Sequence, residues 1–117
     1  MTDKFNEEFL QALKEVEKSL LALLFKPYSF EEKGFAYFVQ YKRENSIVKF
    51  LYGPPEYEVD IIVYTAKGKF EFKDLLENSD IAAWVNKNKY LMGNEKNIRN
   101  EMLWFVELLK FSLPIIE

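Results

Sequence analysis

The chain has 117 residues, of which 49% are hydrophobic and 17% aromatic, so it carries enough apolar surface to fold as one domain around its own core. It contains no cysteine and no histidine, which excludes disulfides, thiolate or imidazole catalysis, and zinc sites of the Cys/His kind. The formal net charge of −3 argues against a nucleic-acid partner, because nucleic-acid binding depends on clustered Lys and Arg.

Apolar residues recur at spacings of three and four near the start of the chain, which predicts an amphipathic helix capped by Thr2 or Asp3. Its apolar stripe consists of Phe5, Phe9, Ala12, Leu13, Val16, Leu20, Leu23 and Leu24. Around Leu21 the helix becomes apolar on all sides, so we expect another part of the chain or a second subunit to cover that end. Pro27 is expected to end the helix, because the residue before a proline is kept out of the helical region.

Residues 28–34 are expected to form a solvated loop, and the alternation over 35–43 predicts a strand with an apolar face at Phe35, Tyr37, Val39 and Tyr41. A tight turn at Glu44 and Asn45 would return the chain as a second strand. The predicted partners across this hairpin are Tyr41 with Val48, Val39 with Phe50, and Tyr37 with Tyr52.

The stretch 47–65 predicts two strands joined at Gly53-Pro54-Pro55-Glu56, because prolines donate no N–H to a ladder. Period-two patterning gives both strands an apolar face, formed by Val48, Phe50, Tyr52, Val59, Ile61 and Val63. The turn favours a register that sets Tyr52 opposite Tyr57, Phe50 opposite Val59, and Val48 opposite Ile61. All these apolar residues then lie on one side of the sheet.

A fourth strand is predicted over 69–73, and its register has two alternatives. A three-residue loop would place Phe70 and Phe72 on the outer face, with Ile62 and Tyr64. A four-residue loop would place both rings inward, beside Val63 and Ile61. The inward register is favoured, because burying two Phe side chains is worth roughly 3–6 kcal/mol.

After the sheet, Asp74 is expected to cap a short turn, and Ser79 or Asp80 a helix that carries Ile81, Trp84 and Val85 on one side. Asn94 is expected to cap a longer, largely buried helix, which Pro114 would end. No linker or repeat divides the chain. The sequence therefore predicts one α+β domain over residues 1–117, a four-stranded antiparallel meander (order α-β-β-β-β-α-α) packed against a long N-terminal and a C-terminal helix.

Catalytic chemistry finds little support in the sequence. Glu56, Glu58 and Asp60 alternate on one strand face and could hold paired carboxylates, but an antiparallel sheet with one wet face also shows charge at every second position. No spaced Asp/Asn-Gly loop suggests calcium or magnesium. We therefore predict no catalytic residue, no metal ligand and no cofactor.

The outer face of the predicted sheet mixes apolar and charged side chains, a composition typical of a protein-binding surface. The candidate partner-binding residues are Phe38, Lys49, Leu51, Glu58, Asp60, Ile62 and Tyr64. The competing interpretation is that a helix of the same chain covers this face. A second hypothesis is a small-molecule or carboxylate-dependent catalytic pocket between sheet and helices, lined by Tyr37, Tyr41, Tyr52 and Tyr57.

The sequence thus favours a non-catalytic interaction domain that forms a homodimer or binds another protein. By size and charge alone it is analogous to small acidic immunity proteins and secretion chaperones of bacteria. The excess of Lys over Arg hints at a bacterial source, and we expect no membrane partner and a cytoplasmic location, since no secretion signal or membrane span is recognisable.

Overall fold

Five antiparallel strands and four helices make up the part of the chain that a computed structural model describes, residues 4–54, 58–88 and 98–117. In chain order the elements are α1 (Lys4–Ala22), β1 (Lys26–Lys33), β2 (Ala36–Arg43), β3 (Ser46–Tyr52), β4 (Asp60–Thr65), β5 (Gly68–Glu71), α2 (Phe72–Leu75), α3 (Ser79–Lys87) and α4 (Ile98–Ile116). The strands form one meander in the order β1-β2-β3-β4-β5. The predicted α+β class is confirmed, with one strand more than the sequence indicated.

The β2–β3 hairpin has the predicted register. Its pairs include Tyr37 with Tyr52, Val39 with Phe50, and Tyr41 with Val48. The turn residue Glu44 takes a positive φ of 49°, as tight hairpin turns require. Period-two patterning and a short turn were therefore enough to fix this pairing.

The predicted register between β3 and β4 is wrong by two residues. Phe50 lies opposite Ile61 and Val48 opposite Val63, while Tyr57 lies outside the described residues. The ladder starts only at Asp60, and the N–H of Val59 instead donates to Glu101 Oε2 of α4 at 3.4 Å. Since the error is an even number of residues, every side chain remains on its predicted face.

The inward register of β5 is confirmed. Phe70 lies opposite Val63, and the pair Thr65–Gly68 closes the hairpin with a two-residue loop. Phe72 then starts α2 rather than continuing the strand, and its ring packs edge-on against Trp104 and Phe105 of α4. The Asp74 carboxylate accepts the N–H of Glu71, so it serves as the third helical residue of a capping box and not as the cap itself.

The segment expected to be a loop, residues 28–34, is most of strand β1, which pairs with β2 at the edge of the sheet. Its alternation is interrupted, because Tyr28 is the extra residue of a β-bulge between Pro27 and Ser29. Seven of its eight residues are exposed, so β1 lacks the buried apolar face that reveals a strand in sequence. A two-residue turn at Gly34 (φ 66°) and Phe35 joins it to β2.

Helix α1 ends at Ala22, four residues before β1, and not at Pro27. Two backbone bonds close its end: Phe25 N–H donates to Leu20 O, and Leu24 N–H donates to Leu21 O, each at 2.9 Å. Together with the left-handed φ of Leu24 (71°), this is a Schellman motif. The motif buries Phe25 completely and leaves Leu24 71% exposed, while Leu21 is also exposed rather than covered.

Helix α4 continues through Pro114 to Ile116, so the prediction that Pro114 ends it is wrong. A proline in the last turn removes only one backbone hydrogen bond. Side chains at the ends of β3 and β4 form hydrogen bonds that stabilise the end of the helix. Thr65 Oγ1 donates to Ile116 O at 2.7 Å, and Ser46 Oγ donates to the Glu117 carboxylate at 2.6 Å. Asn94, the expected cap of this helix, lies outside the described residues.

The core lies between the inner face of the sheet and the helices. Phe9 of α1 stacks between Tyr37 and Tyr52, with ring centroids 5.5 and 4.7 Å away. Helix α4 packs beside α1 and contacts the end of β4 at Thr65, while α3 packs on α4 through Trp84 and Trp104. The buried residues of the described helices join the inner-face residues of the sheet in one cluster.

We predict that Leu24→Gly stabilises the domain. A left-handed conformation costs an L-residue about 1–2 kcal/mol, which glycine does not incur, and Leu24 is mostly solvent-exposed, so little burial is lost. The expected increase in the free energy of unfolding is about 0.5–1 kcal/mol, measured by urea denaturation. Leu21→Gly, inside the helix and also exposed, is the control and should destabilise. A lower stability of Leu24→Gly would contradict the assignment of the helix end.

Candidate functional site

The structure places six of the seven candidate partner-binding residues on one face of the sheet, whereas Glu58 lies before the start of β4. Register sets Phe38 beside Leu51, Lys49 beside Ile62, and Leu51 beside Asp60. Glu58 and Asp60 are exposed. The other five residues are half-buried: Phe38, Lys49, Leu51, Ile62 and Tyr64. None of them packs against the core cluster, so the described helices lie on the opposite side of the sheet.

The outer face is partly occupied by its own cations. Lys49 Nζ lies 5.4 Å from the centroid of the Phe38 ring, and Lys42 Nζ lies 5.2 Å from that of Tyr28. In such cation–π contacts the ammonium group lies over the ring face and places a charge beside an apolar group. This face is therefore a mixed surface rather than a bare apolar patch.

The acidic run at the start of β4 does not form a cluster in the described residues. Asp60 Oδ1 accepts the N–H of Ile61 at 2.8 Å, Glu58 is exposed, and Glu56 lies outside the described part. Within residues 4–54, 58–88 and 98–117, no group of three acidic side chains is placed to hold a metal ion.

The tyrosines expected to line a pocket are part of the core instead. Tyr37, Tyr41 and Tyr52 are each about 2% exposed, and Phe9 fills the space between two of them. Tyr57 lies outside the described residues. The structure gives these rings a packing role, which does not favour a small-molecule pocket between sheet and helices.

The largest exposed aromatic groups lie at the β1 edge, which the sequence analysis did not single out. Tyr28, Phe30 and Phe35 are 56%, 54% and 59% exposed. Phe35, expected on the inner face of a strand, lies in the turn before β2. Phe30 lies opposite Val39 and so points to the inner side, where its ring meets Tyr37 at 5.7 Å, but α1 does not reach far enough to cover it.

A groove of about 320 Å³ runs between α1 and the inner side of β1. Leu13 and Glu17 of α1 form one wall, and Pro27 and Phe30 of β1 form the other. Val39 and Tyr41 of β2 contribute to its lining. Most of its surface is apolar, and among the described residues Glu17 is the one charged residue that lines it.

Two tyrosines on the inner side of β2 lie beside glutamates, and one of these pairs lines the groove. Tyr41 Oη donates to Glu17 Oε1 at 3.3 Å, and burial together with the Glu17 carboxylate raises the pKa of Tyr41 well above its usual value. Burial and the nearby Glu32 carboxylate likewise raise the pKa of Tyr37. Glu17 therefore places a carboxylate in the groove, and Glu32 lies on the same inner side of the sheet, two residues from Phe30.

Sequence reasoning missed the β1 edge because its signals are weak. The segment KPYSFEEK contains a proline and four charged residues, a pattern typical of loops as well as of protected edge strands. The available signal was Gly34, a turn residue with a short alternating run on each side. Edge strands are recognised poorly by hydrophobic periodicity, because neither face is fully buried.

The chain matches no protein-family model, and no curated protein and no solved structure shows significant similarity to it. Among the described helices, none combines the length and the apolar character that crossing a bilayer requires. Function must therefore be argued from the surface itself.

We predict that Tyr41, whose pKa is raised by burial and by the nearby Glu17 carboxylate, makes stability fall at high pH. Because the pKa of Tyr41 is raised in the folded state, the unfolded chain loses this proton first above about pH 10, and the free energy of unfolding decreases as pH rises further. The limiting slope is about 1.4 kcal/mol per pH unit for one group. Urea denaturation between pH 9 and pH 11.5 should show a shallower decline for Tyr41→Phe than for the wild type. Equal slopes would contradict the raised pKa of Tyr41 in the folded state.

Proposed function

We propose that this domain is a non-catalytic protein-interaction domain that binds another polypeptide at the β1 edge of its sheet and the adjoining outer face. The observation that carries the proposal is the exposure of Tyr28, Phe30 and Phe35 around an edge strand that pairs with β2 alone among the described strands. Edge strands with exposed apolar side chains are sites of strand addition by partner proteins.

The outer face extends this surface. Glu31 of β1 lies opposite Phe38 of β2, so the edge continues directly into the sequence-predicted set that includes Leu51 and Ile62. A surface of aromatic and aliphatic groups among charges has the composition of a transient protein interface. We further propose that the domain acts in the cytoplasm, in keeping with the absence of cysteine.

The proposal is tested by site-specific photo-crosslinking in cells of the source organism. A photoreactive phenylalanine analogue replaces Phe30 at the edge in one variant and Leu51 on the outer face in another. A third variant carries it at Leu76, an exposed hydrophobic residue just after α2, as the matched control. We expect a discrete protein adduct from Phe30, a weaker or equal one from Leu51, and none from Leu76, identified by mass spectrometry.

The two test positions separate the two surfaces. An adduct at Leu51 without one at Phe30 would place the partner on the outer face alone. Adducts that are equally abundant at Leu76, or no protein adduct at Phe30 and Leu51 in cells that express the folded domain, would contradict the proposed function.

A further inference from the structure

We propose that the partner at the β1 edge is an extended peptide segment that adds to the sheet as a sixth strand, placing one apolar side chain in the groove beside α1 and basic side chains beside Glu17 and Glu32. This inference rests on the proposed function and names the chemistry of the partner. Three independent features of the edge support it: its backbone, its groove and its charges.

The backbone of β1 can accept another strand. It is the first strand in the sheet order, so its N–H and C=O groups that point away from β2 have no ladder partner among the described strands. The regular stretch after the bulge, Ser29 to Lys33, alternates between the two faces of the sheet. An added strand that bonds to this stretch would also place every second side chain on the inner side.

The groove matches one apolar side chain of such a strand. It lies on the inner side, between Phe30 and Leu13, and Val39 contributes an apolar surface. Its volume of about 320 Å³ is at the lower limit for a site that holds a free cofactor or metabolite. An aliphatic or aromatic side chain from an added strand would cover the exposed Phe30 ring and remove both groups from water.

The charges favour a basic segment. Glu17 lines the groove, and Glu32 lies on the same inner side as Phe30, opposite Tyr37. In β1 itself, Lys26 and Lys33 lie at the two ends, so the negative charges lie nearer the groove. Lys or Arg two residues from the apolar anchor would pair with these carboxylates, because alternate residues of a strand share a face.

A second copy of this chain is a poorer occupant of the same edge. A two-fold antiparallel ladder that uses the whole regular stretch, Ser29 to Lys33, has Glu31 at its centre. It would set the two Glu31 carboxylates directly opposite each other, an arrangement that destabilises strand pairs. If Phe30 lies on the two-fold axis instead, the paired stretch extends only one residue to each side before it meets the bulge at Tyr28.

The experiment uses a phage-displayed library of random decapeptides, selected on the full-length domain and counter-selected on Phe30→Lys. We expect enrichment of peptides in which Lys or Arg alternates with a central aliphatic or aromatic residue. Binding of a fluorescein-labelled selected peptide, measured by anisotropy, should weaken about tenfold or more in Phe30→Lys. In the double variant Glu17→Gln, Glu32→Gln, binding should weaken about threefold. This loss of affinity should become smaller as the salt concentration is raised.

Backbone pairing has its own readout. N-methylation of the selected peptide, one residue at a time, should abolish binding at alternate residues only, because every second N–H of an added strand faces β1. Leu76→Lys is the control variant and should bind the peptide like the wild type. Urea denaturation of each variant checks that weaker binding does not reflect unfolding.

Three outcomes would overturn the inference: selected peptides that lack basic residues, binding that is insensitive to N-methylation, or a selection that yields no clone dependent on Phe30. A dimer in sedimentation, together with β1 amides that become protected from hydrogen exchange in that dimer, would identify the occupant as a second copy of this chain instead of a peptide. If photo-crosslinking captures a partner at Phe30 while the selection fails, the extended-peptide inference fails and the proposed function stands.

Discussion

The stacking of Phe9 between Tyr37 and Tyr52 determines where the helical layer lies on this sheet. The two tyrosines are cross-strand neighbours in β2 and β3, and the Phe9 ring lies within 5.5 Å of both ring centroids. Stacked aromatic groups bury large areas and tolerate little sliding. Helix α1 is therefore held over the β2–β3 pair, and α4 takes the remaining space toward β5.

The exposure of β1 follows from this placement. A helix is about 10 Å wide and strands are about 4.8 Å apart, so each helix covers roughly two strands. Since α1 packs on β2 and β3, and α4 contacts β4 and the β4–β5 loop, β1 has no described helix directly beneath it. Phe30 then remains more than half exposed although it points to the inner side. The candidate site is thus a consequence of the mismatch between five strands and two covering helices.

The sequence predicted which face each residue of β2, β3 and β4 occupies, because burial imposes a period of two that survives an error of two residues in register. It could not predict the β3–β4 register itself, since the Val59 N–H bonds to Glu101 of α4, a residue 42 positions away. The sequence predicted the end of α1 at Pro27 and not at Ala22. The left-handed position that ends a helix is usually Gly or Asn, and here it is Leu24. The candidate edge was missed for a related reason: β1 lacks a buried face, and its function as a site depends on what the helices leave uncovered.

Amide hydrogen exchange of the isolated domain, followed by NMR, tests most directly whether β1 is a free and uncovered edge. We expect the slowest exchange in β3, which is paired on both sides, and an alternating pattern in β1, where amides that bond to β2 are protected and those between them exchange fast. Uniform protection of β1 comparable to that of β3, in a sample shown to be monomeric, would contradict this expectation.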